Sequence, residues 1–310
     1  MRIFLIALLL ACCVGVATAQ ENKPLIPEYF SGQFAFEGFS RTYALVPPKD
    51  FDLEKSYPLV VVFHGAGGSG IEMLTDTGLK DLASEQGYLI AFPNGVEQGW
   101  GYLDKEELNT RDVYTDDWNF FDALVKDAEN FAHVDLSRVY VIGFSNGGSL
   151  GYRIMCEYPD LVAGVVVIAS TLSSYTAEQC VNTDPVPLMM ILGTADRIFP
   201  YGGSAEIKSD GRLILQFSFQ QQMTFLAQHQ RCNLAGGTTD TVSTMESPIR
   251  VVRDFYDQCP GGEPILLYAL IDYEHGYGGS ASITLEDGAA GTLEDAMFEF
   301  FAAYPSTPNR

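Results

Sequence analysis

Short apolar runs recur along the chain, separated by stretches whose apolar positions fall three or four residues apart. The runs at 59–63, 88–92, 139–142, 162–169, 188–192 and 265–271 are continuous rather than alternating. Continuity of that kind predicts strands buried on both faces. Residues 33–36 and 42–46 read as two earlier strands, the second stopped by Pro47-Pro48. Stretches 80–86, 116–132, 147–157, 213–229 and 292–303 read as helices. Strands alternating with helices predict the α/β class: a mostly parallel sheet covered by helices on both faces. Residues 98–114 form one long irregular polar stretch holding Trp100, Tyr102 and Tyr114, expected either to line a substrate cleft or to form a surface insertion.

The N-terminus follows a different pattern. Arg2 precedes an apolar run over 3–16, and Ala17-Thr18-Ala19 supplies small residues of the kind a signal peptidase cuts. The run is too short to span a membrane, so residues 1–19 are expected to be a secretory signal peptide and Gln20 the mature start. The alternative is a lipoprotein box at Leu9-Leu10-Ala11-Cys12, with the protein anchored through Cys12. Residues 20–310 are expected to form one catalytic domain, secreted or periplasmic. Roughly 290 residues suffice for one large core.

The formal net charge of −22 changes the list of partners. Nucleic acids and anionic membranes call for basic patches, and the acidity argues against both. Cysteine usage points the same way as the leader. With Cys12 and Cys13 in the leader, Cys156, Cys180, Cys232 and Cys259 remain, enough for two disulfides in an exported chain. Three connectivities are possible; pairing neighbours, Cys156 with Cys180 and Cys232 with Cys259, closes loops of similar size. None stands in a CxxC or beside a histidine cluster, so no metal site is expected.

The chemistry centres on Ser145. The run 139–142 passes directly into Gly143-Phe144-Ser145-Asn146-Gly147-Gly148, which opens a helix. A serine hydroxyl is a poor nucleophile unless exposed, aimed and deprotonated by a neighbouring base. A sharp strand-to-helix turn exposes it, and flanking glycines avoid the clash such a turn creates. An acid and then a histidine should follow, each after a later strand. Gly193-Thr194-Ala195-Asp196 follows one strand, and Asp272-Tyr273-Glu274-His275-Gly276 follows another. The order Ser145, Asp196, His275 therefore predicts nucleophile, imidazole orienter and general base. Asp272 and Glu274 remain alternatives to Asp196. Among the four histidines, His64 is better placed to brace the glycine turn, His133 to face solvent, and His229 to pack near Cys232. The oxyanion is expected to meet the amides of Asn146 and, in His64-Gly65-Ala66-Gly67-Gly68, of Ala66.

Phe63-His64-Gly65, the Gly143–Gly148 segment, Gly193-Thr194-Ala195-Asp196 and Pro200-Tyr201-Gly202-Gly203 together resemble the polyhydroxybutyrate depolymerase and feruloyl/acetylxylan esterase family, also called carbohydrate esterase family one. The likeness runs over residues 41–304, including Thr115-Asp116-Asp117 and the placement of the four cysteines. It implies an exported α/β-hydrolase that cleaves carboxylic esters through an acyl-enzyme, needing no metal or organic cofactor, with Ser145, Asp196 and His275 as its triad. The histidine loop departs from the pattern. The family commonly reads Gly-Gly-His-Thr-Trp-Pro-Gly, whereas here Tyr277 stands where tryptophan is usual and the proline is missing. A Cys-Cys pair that some members carry is absent near Trp100. Trp100, Tyr201 and Tyr277 are the candidates for lining the substrate cleft.

Three functions fit these residues. The first is an esterase acting on feruloyl or acetyl esters of plant polysaccharide. The second is a polyester depolymerase or an oligomer hydrolase acting on hydroxyalkanoate chains; no linker and binding module follows Tyr304, which counts against solid polymer and leaves soluble oligomers open. The third is a catalytically dead binding protein, which loss of a triad member would mark; all three members are present. Oligomeric state is not legible.

Overall fold

The computed structural model describes residues 26–104, 115–207, 213–260 and 264–305, and ten of its strands form one sheet. The expected leader, with Cys12, and Tyr114 lie outside the described residues. In chain order the strands begin with β1 (Phe30–Phe36), β2 (Phe39–Val46), β3 (Ser56–Phe63), β4 (Leu89–Pro93) and β5 (His133–Phe144). They continue with β6 (Val162–Ile168), β7 (Leu188–Gly193) and a separate hairpin of β8 (Ser204–Ile207) with β9 (Leu213–Gln216). β10 (Thr238–Thr241), β11 (Val251–Tyr256) and β12 (Ile265–Leu270) complete the large sheet, while β13 (Ser282–Thr284) pairs with β14 (Ala290–Thr292) apart from it. The order across the sheet is β1-β2-β4-β3-β5-β6-β7-β12-β11-β10. From β4 to β12 every neighbouring pair is parallel, and antiparallel strands extend both margins.

The continuous apolar runs are explained by what covers them. Helices α1 (Gly70–Asp76), α2 (Leu79–Gln86), α3 (Asp117–Ala128), α4 (Asn146–Glu157), α5 (Ser174–Gln179) and α6 (Phe219–His229) lie between strands along the chain, and α7 (Leu293–Ala303) follows the last of them. Side chains alternate across a strand. Val61, Val141 and Met190 accordingly pack with Phe120 and Phe121 of α3, Leu150 of α4 and Leu226 of α6. Val60, Ile142 and Met189 pack on the opposite face with Leu79 of α2 and Met297, Phe298 and Phe301 of α7. Each such side chain contributes roughly 1.5–3 kcal/mol when fully buried, so a polar residue on either face would be costly.

The expected helix over 213–229 divides into two elements. Leu213–Gln216 is strand β9, and α6 starts only at Phe219 because Ser218 caps it: its hydroxyl accepts from Gln221 N while the Gln221 side chain reaches back. Strand β5 starts at His133, earlier than its apolar run. Disulfides join Cys156 to Cys180, tying α4 to the end of α5, and Cys232 to Cys259, tying the segment after α6 to the one after β11. The parallel strands all point their carboxyl ends to one edge of the sheet, where ligands of such sheets bind.

Candidate active site

The turn from β5 into α4 is a single residue, Ser145, with φ 54° and ψ −116°. A non-glycine residue in that region carries about 1–3 kcal/mol of strain, which the surroundings must overcome. Ser145 N donates to Ile168 O at 2.8 Å, and Ser145 O accepts from Gly148 N at 2.9 Å and Ser149 N at 3.1 Å. The flanking glycines are steric requirements. A Cβ on Gly143 would lie 2.2 Å from Gly147 O, and one on Gly147 would lie 2.4 Å from Phe63 O.

Two loops from neighbouring strands meet over the serine. A Cβ on Gly193 would lie 2.4 Å from Tyr273 O, so the end of β7 and the loop after β12 pass in contact. Ala195 N donates to Tyr273 O at 3.0 Å, and Asp272 N donates to Thr194 Oγ1 at 2.9 Å, fixing their register. Asp196 is 5% exposed, and its Oδ1 accepts from Ile198 N at 2.8 Å and Phe199 N at 2.9 Å. Its Oδ2 lies 2.7 Å from His275 Nδ1, and His275 Nε2 lies 3.0 Å from Ser145 Oγ. A carboxylate only accepts, so Nδ1 donates and Nε2 of a neutral ring is left to accept from the serine hydroxyl. Asp272 and Glu274, the alternatives to Asp196, are exposed.

Two aromatic rings stack near His275: Phe144 at 5.7 Å and Phe199 at 6.0 Å between centroids. Phe199 had no signal of its own in the sequence beyond lying three residues after Asp196.

The turn after β3 lies against the serine. A Cβ on Gly65 would sit 3.0 Å from the Phe144 ring and 3.3 Å from Ser145 Cβ. Ala66 occupies the tip, closed by Gly68 N donating to Gly65 O at 3.1 Å and anchored by Gly67 N donating to Gln98 O at 2.7 Å. Asn146 is the first residue of α4, where amides lack intrahelical acceptors and the helix dipole favours negative charge. His64 braces this turn. Its Nε2 accepts from Gly95 N at 3.0 Å, so Nδ1 carries the proton and donates to Gly65 O at 2.7 Å. Burial pushes its pKa below the ordinary histidine value. His133 is exposed, and His229 sits 3.2 Å from Thr183 Oγ1.

The three cleft candidates part company. Trp100 is only 1% exposed: its indole donates to His64 O at 2.8 Å and it packs in the core beneath the turn, so it lines no cleft. Tyr201 stacks on Phe219 of α6 at 5.1 Å, and its carbonyl accepts from Phe219 N, a packing role at the start of that helix. Tyr277 does line a cavity beside the serine turn. Its hydroxyl is buried next to Glu294, and that burial raises the pKa of both groups. Among the described residues, no group of three or more His, Cys, Asp or Glu side chains is arranged to hold a metal ion, and no helix is long and apolar enough to cross a membrane.

Residues 52–234 match the profile of the phospholipase/carboxylesterase family. The chain belongs to that family. This carboxylesterase-family chain is 37% identical over 202 residues to NocK, a Nocardia uniformis subsp. tsuyamanensis protein named as an esterase; the match covers 64% of this chain and 58% of NocK. It is 26% identical over 171 residues to feruloyl esterase B of Piromyces equi, covering 54% of this chain and 31% of the relative. The match thus spans less than two thirds of either relative. An acetyl xylan esterase from Aspergillus awamori superposes with TM-score 0.55 at 13% identity, over 84% of this chain and 94% of that one. That likeness is one of fold, the α/β-hydrolase type.

Proposed function

We propose that this protein is a secreted serine esterase that hydrolyses carboxylic esters through an acyl-enzyme, with feruloyl or acetyl esters of plant polysaccharide as its substrates. The observation carrying the reading is the chain of contacts from Asp196 through His275 to Ser145, at 2.7 and 3.0 Å. His275 Nε2 takes the hydroxyl proton as Ser145 Oγ bonds to the ester carbonyl carbon. The carbonyl oxygen becomes an oxyanion, stabilised by the amides of Ala66 and Asn146; one such donor is worth about 3–4 kcal/mol of barrier. The C–O bond to the alcohol then breaks as His275 returns the proton to the leaving oxygen. Water, deprotonated by His275, attacks the acyl-Ser145 carbonyl and releases the acid and the free serine. Asp196 keeps the imidazole in the required tautomer and stabilises its cationic form.

The substrate assignment is supported by the relative named feruloyl esterase and the structural neighbour named acetyl xylan esterase. Secretion is supported by the leader pattern of residues 1–19 and by two disulfides, which persist in oxidising compartments. The remainder, from residue 20 onward, acts as one catalytic domain. The test is a rate comparison on methyl ferulate, acetylated xylan and hydroxybutyrate oligomers. Preference for either of the first two is expected; preference for the oligomers would replace this substrate with a polyester.

A further inference from the structure

A cavity of about 280 Å³ opens beside the serine turn, between the Gly65–Ala66 turn, helix α1 and Tyr277. Phe144, which precedes Ser145 and stacks on His275, forms one wall, and buried Met73 of α1 forms another. Gly65 sits between this cavity and the serine: a side chain there would lie 3.0 Å from the Phe144 ring and 3.3 Å from Ser145 Cβ. The volume lies at the small end of ligand pockets, which run roughly 300–1,000 Å³. It can hold one compact group and cannot enclose a run of sugars or a polymer segment.

Its charge is one-sided. Glu72 and Asp76 both line the cavity from α1, one helical turn apart, and both are exposed. Among the described residues no lysine or arginine lines it, and burial lowers the pKa of His64, the one basic side chain in the wall. The lining also identifies which half of the ester belongs here. Neither Ser145 nor His275, Asp196 or Phe199 lines the cavity; it adjoins the serine through Gly65, Ala66 and Phe144 rather than through the imidazole that must protonate the leaving oxygen. The alcohol therefore leaves past His275, and the cavity is left for the acyl group.

We propose that this cavity is the acyl pocket, that it takes a compact uncharged acyl group, and that Glu72 and Asp76 at its mouth reject acyl groups ending in a carboxylate. The assignment rests on the reading of Ser145 as nucleophile. It names two specificity residues that touch neither the reacting atoms nor the triad. Two nearby carboxylates in partly screened surroundings suffice for a discrimination of roughly tenfold, weakening as salt rises.

The test compares kcat/KM for p-nitrophenyl butyrate and mono-p-nitrophenyl succinate, which share an alcohol and differ by a terminal carboxylate. The Glu72→Gln/Asp76→Asn double variant should raise the succinate-to-butyrate ratio roughly tenfold at low salt, and much less in 1 M salt, where the Debye length is about 3 Å. An unchanged ratio overturns the charge filter. Met73→Trp should lower butyrate relative to acetate at least tenfold. If it instead lowers 1-naphthyl acetate relative to methyl acetate and leaves the acyl preference unmoved, the cavity holds the alcohol and the proposal is wrong. Ser145→Ala, assayed alongside, separates the two levels. Retained turnover of p-nitrophenyl acetate would sink the nucleophile; loss of turnover with unmoved ratios would sink only the pocket.

Discussion

The side chain of Asn146 grips the backbone of Trp100 at both polar groups: Oδ1 accepts from Trp100 N at 2.7 Å, and Nδ2 donates to Trp100 O at 3.1 Å. Trp100 in turn donates its indole N–H to His64 O, and neighbouring Gln98 O holds Gly67 N. The residue after Ser145 thus locks the loop that supports the Gly65–Ala66 turn, which the proposed mechanism uses for the second oxyanion amide. Asn146→Ala keeps the backbone amide and removes the lock. Leaving the Trp100 groups without partners costs about 1–3 kcal/mol. The expected result is a fall in kcat of roughly ten- to a hundredfold with KM little changed, since the loss falls on transition-state stabilisation. A proportionate rise in KM alone would show that the loop only binds substrate.

His64 makes the fold sensitive to acid. Burial lowers its pKa, so the neutral ring is favoured in the folded state. Its contribution is fully present above the unfolded value of 6.5 and is lost as pH falls from there through the folded pKa. Protonation would also end the acceptance of the Gly95 amide by Nε2. His229 is shifted the same way by burial. Urea midpoints between pH 7 and 5 should fall for the natural sequence and fall less steeply for His64→Gln, by up to about 1.4 kcal/mol per pH unit. Parallel slopes would contradict this.

Arg41 and Asp117 form a fully buried pair at 2.7 Å, with the guanidinium 3.6 Å from the centre of the Phe120 ring. Asp117 Oδ2 also accepts from Gly101 N at 2.6 Å and Thr115 Oγ1 at 2.7 Å, which pins the same loop that carries Trp100. Arg41→Met leaves that carboxylate buried without its cation. A loss of about 3–5 kcal/mol in urea unfolding is expected, and a change below 1 kcal/mol would show the pair to be dispensable.

The strands, the sharp turn at Ser145 and the meeting of Ser145, Asp196 and His275 were legible because each rests on local chemistry. Continuous apolar runs report burial on both faces, and Gly143 and Gly147 report a turn with no room for Cβ. What was not legible depends on contacts distant in sequence. Trp100 looked like a cleft residue because an aromatic in a polar loop carries no sign of which way it faces; its burial follows from Asn146 and His64. Tyr201 misled for the same reason, its ring being taken up by Phe219. Strand β9 was absorbed into the helix that follows because Leu213, Ile214 and Leu215 suit either element, and only the Ser218 cap separates them. Glu72 and Asp76 carry no motif; they matter because α1 lays them beside the Gly65–Ala66 turn.

The two disulfides close loops of 24 and 27 residues. Chain entropy alone assigns each about 3.5 kcal/mol. Replacing both cysteines of either pair with serine should lower unfolding free energy by that order in each case. Loss of folding in one variant and no effect in the other would show that local packing, rather than loop closure, sets their worth.

The central claim is that Ser145 carries the acyl group. Mass spectrometry of intact protein and of its peptic peptides, from enzyme quenched in acid within the first turnovers of p-nitrophenyl butyrate, tests it most directly. The natural sequence should gain one butyryl mass on the peptide holding Ser145, and Ser145→Ala should gain none and release no p-nitrophenol above background. An adduct on another residue, or steady turnover by Ser145→Ala, would contradict the account.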